Sequence, residues 1–445
     1  MTDLYATYTA KKPIYNRLFK ARLSIGLLLV MIPSVSPAQE NQGLLTLEDS
    51  IRRVAEIAPE MKAANAKIGM QHGKWELADA WPNPSISIVA DDTLKRDVGG
   101  RGYNVTEFSI SQPLPIGRLA YQRRQAKAGI AKAEMQYHNQ QLLLEYKVAL
   151  LFHTLQMKEA QLKQAKTRLQ QASHYQSGDR KQHQGDPLIR YLTPLEKMRL
   201  DIVLQAAKQA VGVAEGEFND TASSFKSLLG IPTGQSLRLK PLIPVLKPKE
   251  LNYLEKKLQA HPALEAAEQQ IISAQAGVDV AKWQRISDPT LTFFRRNNFL
   301  ANRQLSNGIM LSVEVPLWGQ NNGAIIRARY AVDQAQAELH IKQRDLQSSL
   351  HNSYLHLSHL IEQAEHYRTK LLRPAQQVFK LTQKGFDAGE LNILTLIDAN
   401  NTYFDAQARY LALLQKGWLA LAVLRRAAGI TLLSSNVKTD FSVVK

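Results

Sequence analysis

YNVTEFSISQPLPIG, residues 103–117, and IMLSVEVPLWG, residues 309–319, decide the fold. Each is a short strand-like run that stops at a proline and reaches a glycine a few residues later, at Pro113 and Gly117 in one and at Pro316 and Gly319 in the other. In the first, Thr106, Phe108 and Ile110 alternate with Glu107, Ser109 and Ser111, the period-two pattern of a strand with one apolar and one polar face. Each run has an upstream partner, 85–90 after Pro84 and 290–294 after Pro289, across a polar loop with glycine or asparagine. The sequence therefore predicts two strand pairs, 85–90 with 103–112 and 290–294 with 309–315. Strands of roughly 6 to 11 residues are near the length a tilted strand needs to cross a bilayer. The loops carry Lys95, Arg96 and Arg101 in one pair and Arg295, Arg296 and Arg303 in the other. That charge reads either as a basic tip facing lipopolysaccharide phosphates or as ordinary solvated loop charge.

Downstream of each glycine, helix breakers almost vanish. Residues 119–177 and 324–384 read as very long helices, the second interrupted only by Arg373 and Pro374. Leu346, Leu350, Tyr354, Leu357, Ile361, Ala364, Arg368 and Leu371 step by three or four, the seam of a packed rod. At 1.5 Å per residue such a rod is about 90 Å long. A second rod returns after Gly185 and after Gly389, at 189–229 and 391–428. Upstream of each strand pair, 47–80 and 250–285 are helical, each broken where a proline restricts the residue before it, at Ala58 and at His261.

The same order thus occurs twice, and its punctuation is nearly equidistant. Pro59 with Pro262, Pro84 with Pro289, Pro113 with Pro316, Gly117 with Gly319, Gly185 with Gly389 and Gly230 with Gly429 lie 203, 205, 203, 202, 204 and 199 residues apart. The chain reads as two copies of a unit of helix, strand, strand, long helix and long helix, at 39–245 and 246–430, with a tail at 431–445. The fold class is mainly α with a small membrane β part.

Composition bounds the rest. The 445 residues include no cysteine, which excludes disulfides, thiolate metal sites and cysteine nucleophiles. Lys11, Lys12, Arg17, Lys20 and Arg22, an apolar run at 23–32 and the small residues Ser36 and Ala38 read as a signal peptide over 1–38. Its removal lowers the net charge from +17 to +13. That charge is spread along rods and loops without a basic block, which argues against nucleic acid, although a basic helical scaffold or nucleic-acid binder is the non-channel alternative. No phosphate loop, G-x-S-x-G elbow or HExxH appears, so neither an enzyme nor a cofactor is expected. Four strands cannot close a barrel, and an open edge in lipid would leave backbone groups unpaired. Three chains would bring twelve strands.

The corners Gln112, Pro113, Leu114, Pro115, Ile116 and Gly117 and Val315, Pro316, Leu317, Trp318 and Gly319, the turn Ala388, Gly389, Glu390 and Leu391, and the run 394–399 with Tyr403 and Ala406 resemble the TolC family of outer-membrane efflux proteins, most of all its CzcC-type members. The resemblance covers residues 44–430. It implies a homotrimeric α/β barrel, with a twelve-stranded outer-membrane barrel and a periplasmic α-helical tunnel. It further implies a passive exit duct in the outer membrane of a Gram-negative bacterium, held by outer-membrane lipids without a cysteine-linked lipid. The implied partners are a periplasmic adaptor and an inner-membrane pump of the resistance-nodulation-division type, and the implied cargo is divalent heavy-metal cations. Multidrug efflux and type I secretion are the alternatives within the family. At the tip that closes such a tunnel, Asp398 matches the second of two gate aspartates, Thr395 stands in place of the first, and Leu391 replaces a gate arginine. Asp186 and Glu390 beside the tip glycines would contact an adaptor or cap helix ends. His359, Glu362 and His366, with His356 one turn earlier, have zinc-like helical spacing, but a polar stripe explains them without a metal.

Overall fold

The structure is a computed structural model that describes residues 44–91, 105–177, 193–298, 304–318 and 320–433. Thr46 caps α1 (Leu47–Ile57), its hydroxyl accepting the Asp49 N–H. Pro59 opens α2 (Pro59–Asp79) at a position where its missing N–H has no helical partner to lose. The chain then enters β1 (Ser85–Asp91) and β2 (Val105–Pro113) and turns into α3 (Arg118–Ser177), 60 residues without a break. The returning α4 (Pro194–Leu228) starts in a capping box in which Thr193 and Glu196 satisfy each other's backbone N–H groups.

The order recurs in the second half. It runs through α5 (Leu251–Leu258), α6 (Pro262–Trp283), β3 (Thr290–Asn298), β4 (Gln304–Ser312), α7 (Asn322–Tyr367), α8 (Arg373–Asp387) and α9 (Ile393–Ala427). A five-residue π turn, Arg368–Leu372, joins α7 to α8. Pro374 causes it: the ring cannot tolerate the carbonyl four residues back and offers no N–H, so the helix widens just ahead of it. The interruption expected at Arg373 and Pro374 is thus a bulge in a rod that continues to Asp387.

All four strands form one antiparallel sheet in the order β1-β2-β3-β4, which leaves β1 and β4 as open edges. The second pair differs from the sequence expectation. Because β2 supplies partners as far as Val105, β3 runs to Asn298 and takes in Arg295 and Arg296, which therefore lie in the ladder and not in a loop. β4 spans 304–312 because its partner strand ends at Thr290, and Val313 and Val315 fall beyond the last pairing. Ser111 stands opposite Ser85 and Ser312 opposite Thr290. By that register Pro316 corresponds to Pro115, not to Pro113. The same tight turn is centred on each, Ile116 N–H to Leu114 carbonyl at 2.8 Å and Leu317 N–H to Val315 carbonyl at 3.0 Å. Gly117 has φ +83°, and the Trp283 ring lies where its side chain would be, so the first corner admits only glycine. Pro84 and Pro289 directly precede their strands as expected, while Gly319 lies outside the described residues.

Two apolar cores sit midway along the rods. In one, Ile51 and Val54 of α1 meet Leu144, Val148, Phe152 and Leu155 of α3 and Phe225 of α4. In the other, Leu254 and Leu258 of α5 meet Leu350, Leu357 and Leu360 of α7 and Leu421 and Leu424 of α9. The seam read from the sequence holds at Leu350 and Leu357, which are buried, but Leu371 lies inside the π turn and is 50% exposed. Leu360, outside that seam, is buried instead. The 1–38 segment, Gly185 and Asp186 lie outside the described residues.

Candidate channel wall and helical tip

The strand register sorts the sheet into two unlike faces. Ile86, Ile88, Phe108, Ile110, Phe293, Ile309 and Leu311 share one face, and all are solvent-exposed, Ile88 at 72%. Full burial of such side chains is worth about 1.5–3 kcal/mol each. Leaving all seven in water forgoes on the order of 10 kcal/mol, as much as the net stability of a typical domain. An apolar surround is the condition under which this face makes sense. Below the strands, Trp318 is 93% exposed and Trp81 59%, the place where an aromatic girdle sits in a membrane barrel.

The opposite face carries Ser85, Ser87, Ser109, Ser111, Thr292, Ser306 and Ser312. The Ser111 and Thr292 hydroxyls are 2.8 Å apart across the strands. Glu107 and Arg296 stand directly opposite each other here and form an ion pair. Mainly apolar on one side, where Arg295 stands opposite Phe108, and hydroxyl-rich on the other, the sheet matches a wall between lipid and water. Among the described residues no helix is long and apolar enough to cross a membrane.

At the α8–α9 turn the chain reverses on a Schellman motif. Glu390 N–H donates to the Gly385 carbonyl at 2.8 Å and Gly389 N–H to that of Phe386 at 2.9 Å. Gly389 takes φ +79°, which this motif requires of the residue past the helix end. Leu391 packs back onto Gly385, where an added Cβ would meet its Cδ1 at 2.7 Å. Asn392 then caps α9, its Oδ1 accepting from the Thr395 N–H and hydroxyl, both at 2.9 Å. Thr395 is thus tied into a helix cap. Asp398 is exposed one turn on, and Thr402, Asp405 and Arg409 continue the same exposed stripe. The other face of α9 buries Ile393, Leu396 and Ala399 with Phe379 of α8 and Leu200 of α4, and the Phe379 and Tyr403 rings stack 5.5 Å apart. Sequence reading missed Asn392 and Asp405. The seven-residue step from Asp398 to Asp405, two helical turns, was the available signal for the latter.

His356, His359, Glu362 and His366 are all exposed on α7. Among the described residues no three His, Asp or Glu side chains are grouped so as to hold a metal ion. Among the buried polar groups, His153 and Gln156 lie at mid-rod. The His153 Nδ1–H donates to Gln156 Oε1 at 2.8 Å, its ring stacks on Trp418 at 4.6 Å, and burial pushes its pKa down to about 4. Gln156 donates to the Lys240 carbonyl and Trp418 to the Ile243 carbonyl, so together they bind the segment between α4 and α5 onto α3 and α9.

A family model described as outer membrane efflux protein matches residues 253–430. The cobalt-zinc-cadmium resistance protein CzcC of Cupriavidus metallidurans is 22% identical over 398 residues, 88% of this chain and 91% of that protein. Among solved structures, CusC superposes with a TM-score of 0.68 at 18% identity, covering 86% of this chain and 92% of that one. VceC of Vibrio cholerae gives 0.67 at 14% identity, covering 87% and 97%. The open state of MtrE from Neisseria gonorrhoeae gives 0.68 at 15%, covering 86% and 89%. Residues 253–430 thus match the outer membrane efflux protein family, and the chain shares its fold with CusC, VceC and MtrE over 86–87% of its length.

Proposed function

We propose that three copies of this chain form the outer-membrane exit duct of a tripartite efflux system. The observation that carries this reading is the four-stranded sheet with one exposed apolar face, one hydroxyl-lined face and two open edges. Edges in lipid must be paired, and three such sheets joined edge to edge give twelve strands with no edge left. The rods, about 90 Å long, would then ring a tunnel across the periplasm. The duct is passive. An inner-membrane pump supplies the energy and a periplasmic adaptor docks at the helical tip where Gly389 and Glu390 lie.

Similarity to a cobalt-zinc-cadmium resistance protein supports divalent metal cations as cargo. Asp398 supports it too: threefold symmetry would gather three exposed carboxylates into a ring at the tip, which favours cations. Thr395 and Leu391 would complete the constriction without adding charge. The histidines of α7 have no part in this reading, since a duct that held its cargo tightly would conduct poorly.

The purified full chain should migrate as a heat-modifiable trimer from outer-membrane fractions and open channels in planar lipid bilayers. A deletion strain should become sensitive to zinc, cobalt and cadmium. Recovery as a monomer from the soluble fraction would overturn the duct. Sensitivity to dyes and bile salts with unchanged metal tolerance would replace the cargo.

A further inference from the structure

We propose that Glu107 and Arg296 set the charge of the barrel lumen, as a matched pair that keeps this level of the wall neutral, and that Phe294 and Gly308 hold Arg296 in the pairing position. The inference rests on the channel reading above. Its basis is geometric. Among the described side chains of the hydroxyl-lined face, these two are the only ionisable ones. They are register partners on β2 and β3, and Arg296 reaches Glu107 Oε2 with Nε at 2.9 Å and with Nη2 at 2.6 Å.

Arg296 has further support. Its guanidinium carbon lies 5.7 Å from the centre of the Phe294 ring, two residues down the same face of β3. Phe294 in turn lies across Gly308, its β4 register partner, so closely that a Cβ there would meet the ring at 2.4 Å. Glycine at 308 leaves room for the ring, the ring supports the guanidinium, and the guanidinium meets the carboxylate. The sequence Glu107, Arg296, Phe294, Gly308 crosses three of the four strands, so the arginine is held along the wall and away from the pore axis.

In a closed barrel each copy would contribute one such pair at the same height. Paired, the six side chains carry no net charge, and their neighbours Ser109 and Ser306 are neutral. Cation preference would then be decided at the tip, and the barrel would pass whatever the tip admits. Removing one partner would expose three like charges in a water-filled passage, where a charged ring biases ion passage by its sign.

The test uses the purified full chain in planar bilayers, reading the reversal potential in a tenfold potassium chloride gradient at low ionic strength, where screening is weak. Arg296→Gln should raise the potassium-to-chloride permeability ratio about twofold or more, and Glu107→Gln should lower it by a similar factor. The double substitution should return the ratio to the wild-type value, and Arg296→Lys, which keeps the charge, should stay near it. Glu107→Gln leaves Arg296 on Phe294 and keeps the test valid if Arg296→Gln assembles poorly. Conducting variants with unchanged ratios, or single substitutions shifting the ratio in the same direction, overturn the inference while the channel reading stands. A wild-type chain that opens no channels overturns both.

Discussion

The two mid-rod cores follow one apolar plan and differ in their polar groups. In the first half α1 lies on α3, in the second α5 lies on α7, and both α4 and α9 end in the same way, with Ile231 N–H on the Lys226 carbonyl and Ile430 N–H on that of Arg425, each at 2.9 Å. A polar group on the first-half rod, however, grips chain from outside that half. Glu145 of α3 is buried and accepts the Thr431 hydroxyl at 2.7 Å and the Leu432 N–H at 2.5 Å, while Gln156 holds Lys240 near the end of the first copy. On the second core the grip comes from the returning rod, where Trp418 of α9 donates to the Ile243 carbonyl at 2.8 Å. Beneath the connecting segment lies a cavity of about 410 Å³, lined by Val245, Leu360, Ile361, Tyr410 and Leu414. The difference teaches that apolar burial builds each half, whereas polar contacts fix one half to the other.

Deleting an apolar anchor should therefore cost most, and similarly in either half. Phe225 and Leu424 are almost fully buried in the first and second core. Phe225→Ala should lower the unfolding free energy by about 3–5 kcal/mol and Leu424→Ala by about 2–5 kcal/mol. Denaturant titration followed by helical circular dichroism gives both values. A loss in one half several times larger than in the other would break the shared apolar plan.

Acid should distinguish the halves. His153 has its folded pKa lowered to about 4 from 6.5 by burial, so its contribution is fully present above pH 6.5 and is lost as pH falls toward 4. That span is worth roughly 3 kcal/mol, of which about 2 kcal/mol has gone by pH 5. Glu145 tilts the other way. Burial raises its pKa, so its contribution is complete below about pH 4.5 and declines as pH rises through the folded value. Unfolding titrations at pH 7 and pH 5 should show a shallower acid loss in His153→Gln and a steeper one in Glu145→Gln than in the wild type. Slopes that the two substitutions move in the same direction would refute the assignment. Glu145→Ala removes the acceptor altogether and should cost about 1–3 kcal/mol at any pH.

Much of this architecture is visible in the sequence, for identifiable reasons. The strand pairs announce themselves through Thr106, Phe108 and Ile110 and through prolines that end them, and α3 through sixty residues without a breaker. What stayed hidden depends on distant partners. Arg296 looks like loop charge until β2 places Glu107 opposite it. Glu145, His153 and Gln156 look like ordinary helix-face residues, because the carbonyls and N–H groups they meet lie 84 or more residues away or on another rod. Asn392 is a cap only because Gly389 has already turned the chain. The tip residue Asp398 was legible as a position, exposed on α9, since helical spacing alone sets which face it shares.

The smallest expected effect bears on the closest correspondence between the halves, Ala58 with Pro59 against His261 with Pro262. Ala58 offers α2 no side-chain cap, whereas His261 caps α6 through Nδ1, which accepts the Ala263 N–H at 3.0 Å, while Nε2–H donates to the Arg426 carbonyl at 3.1 Å. The cap requires the neutral ring, because a protonated Nδ1 cannot accept. Burial lowers the His261 pKa, and the stability it contributes is present above pH 6.5 and lost on acidification. His261→Ala makes the second half like the first at this point and should cost about 1 kcal/mol at pH 7, the usual worth of a cap. At pH 5 the cost should shrink, because the wild type has by then lost part of what the substitution removes. The ring also lies against Gly429, where an added Cβ would meet it at 3.0 Å. Gly429→Ala should therefore be relieved in part by His261→Ala. Free energies that simply add in the double variant would mean that the ring serves the cap alone and does not join the end of α9 to the start of α6.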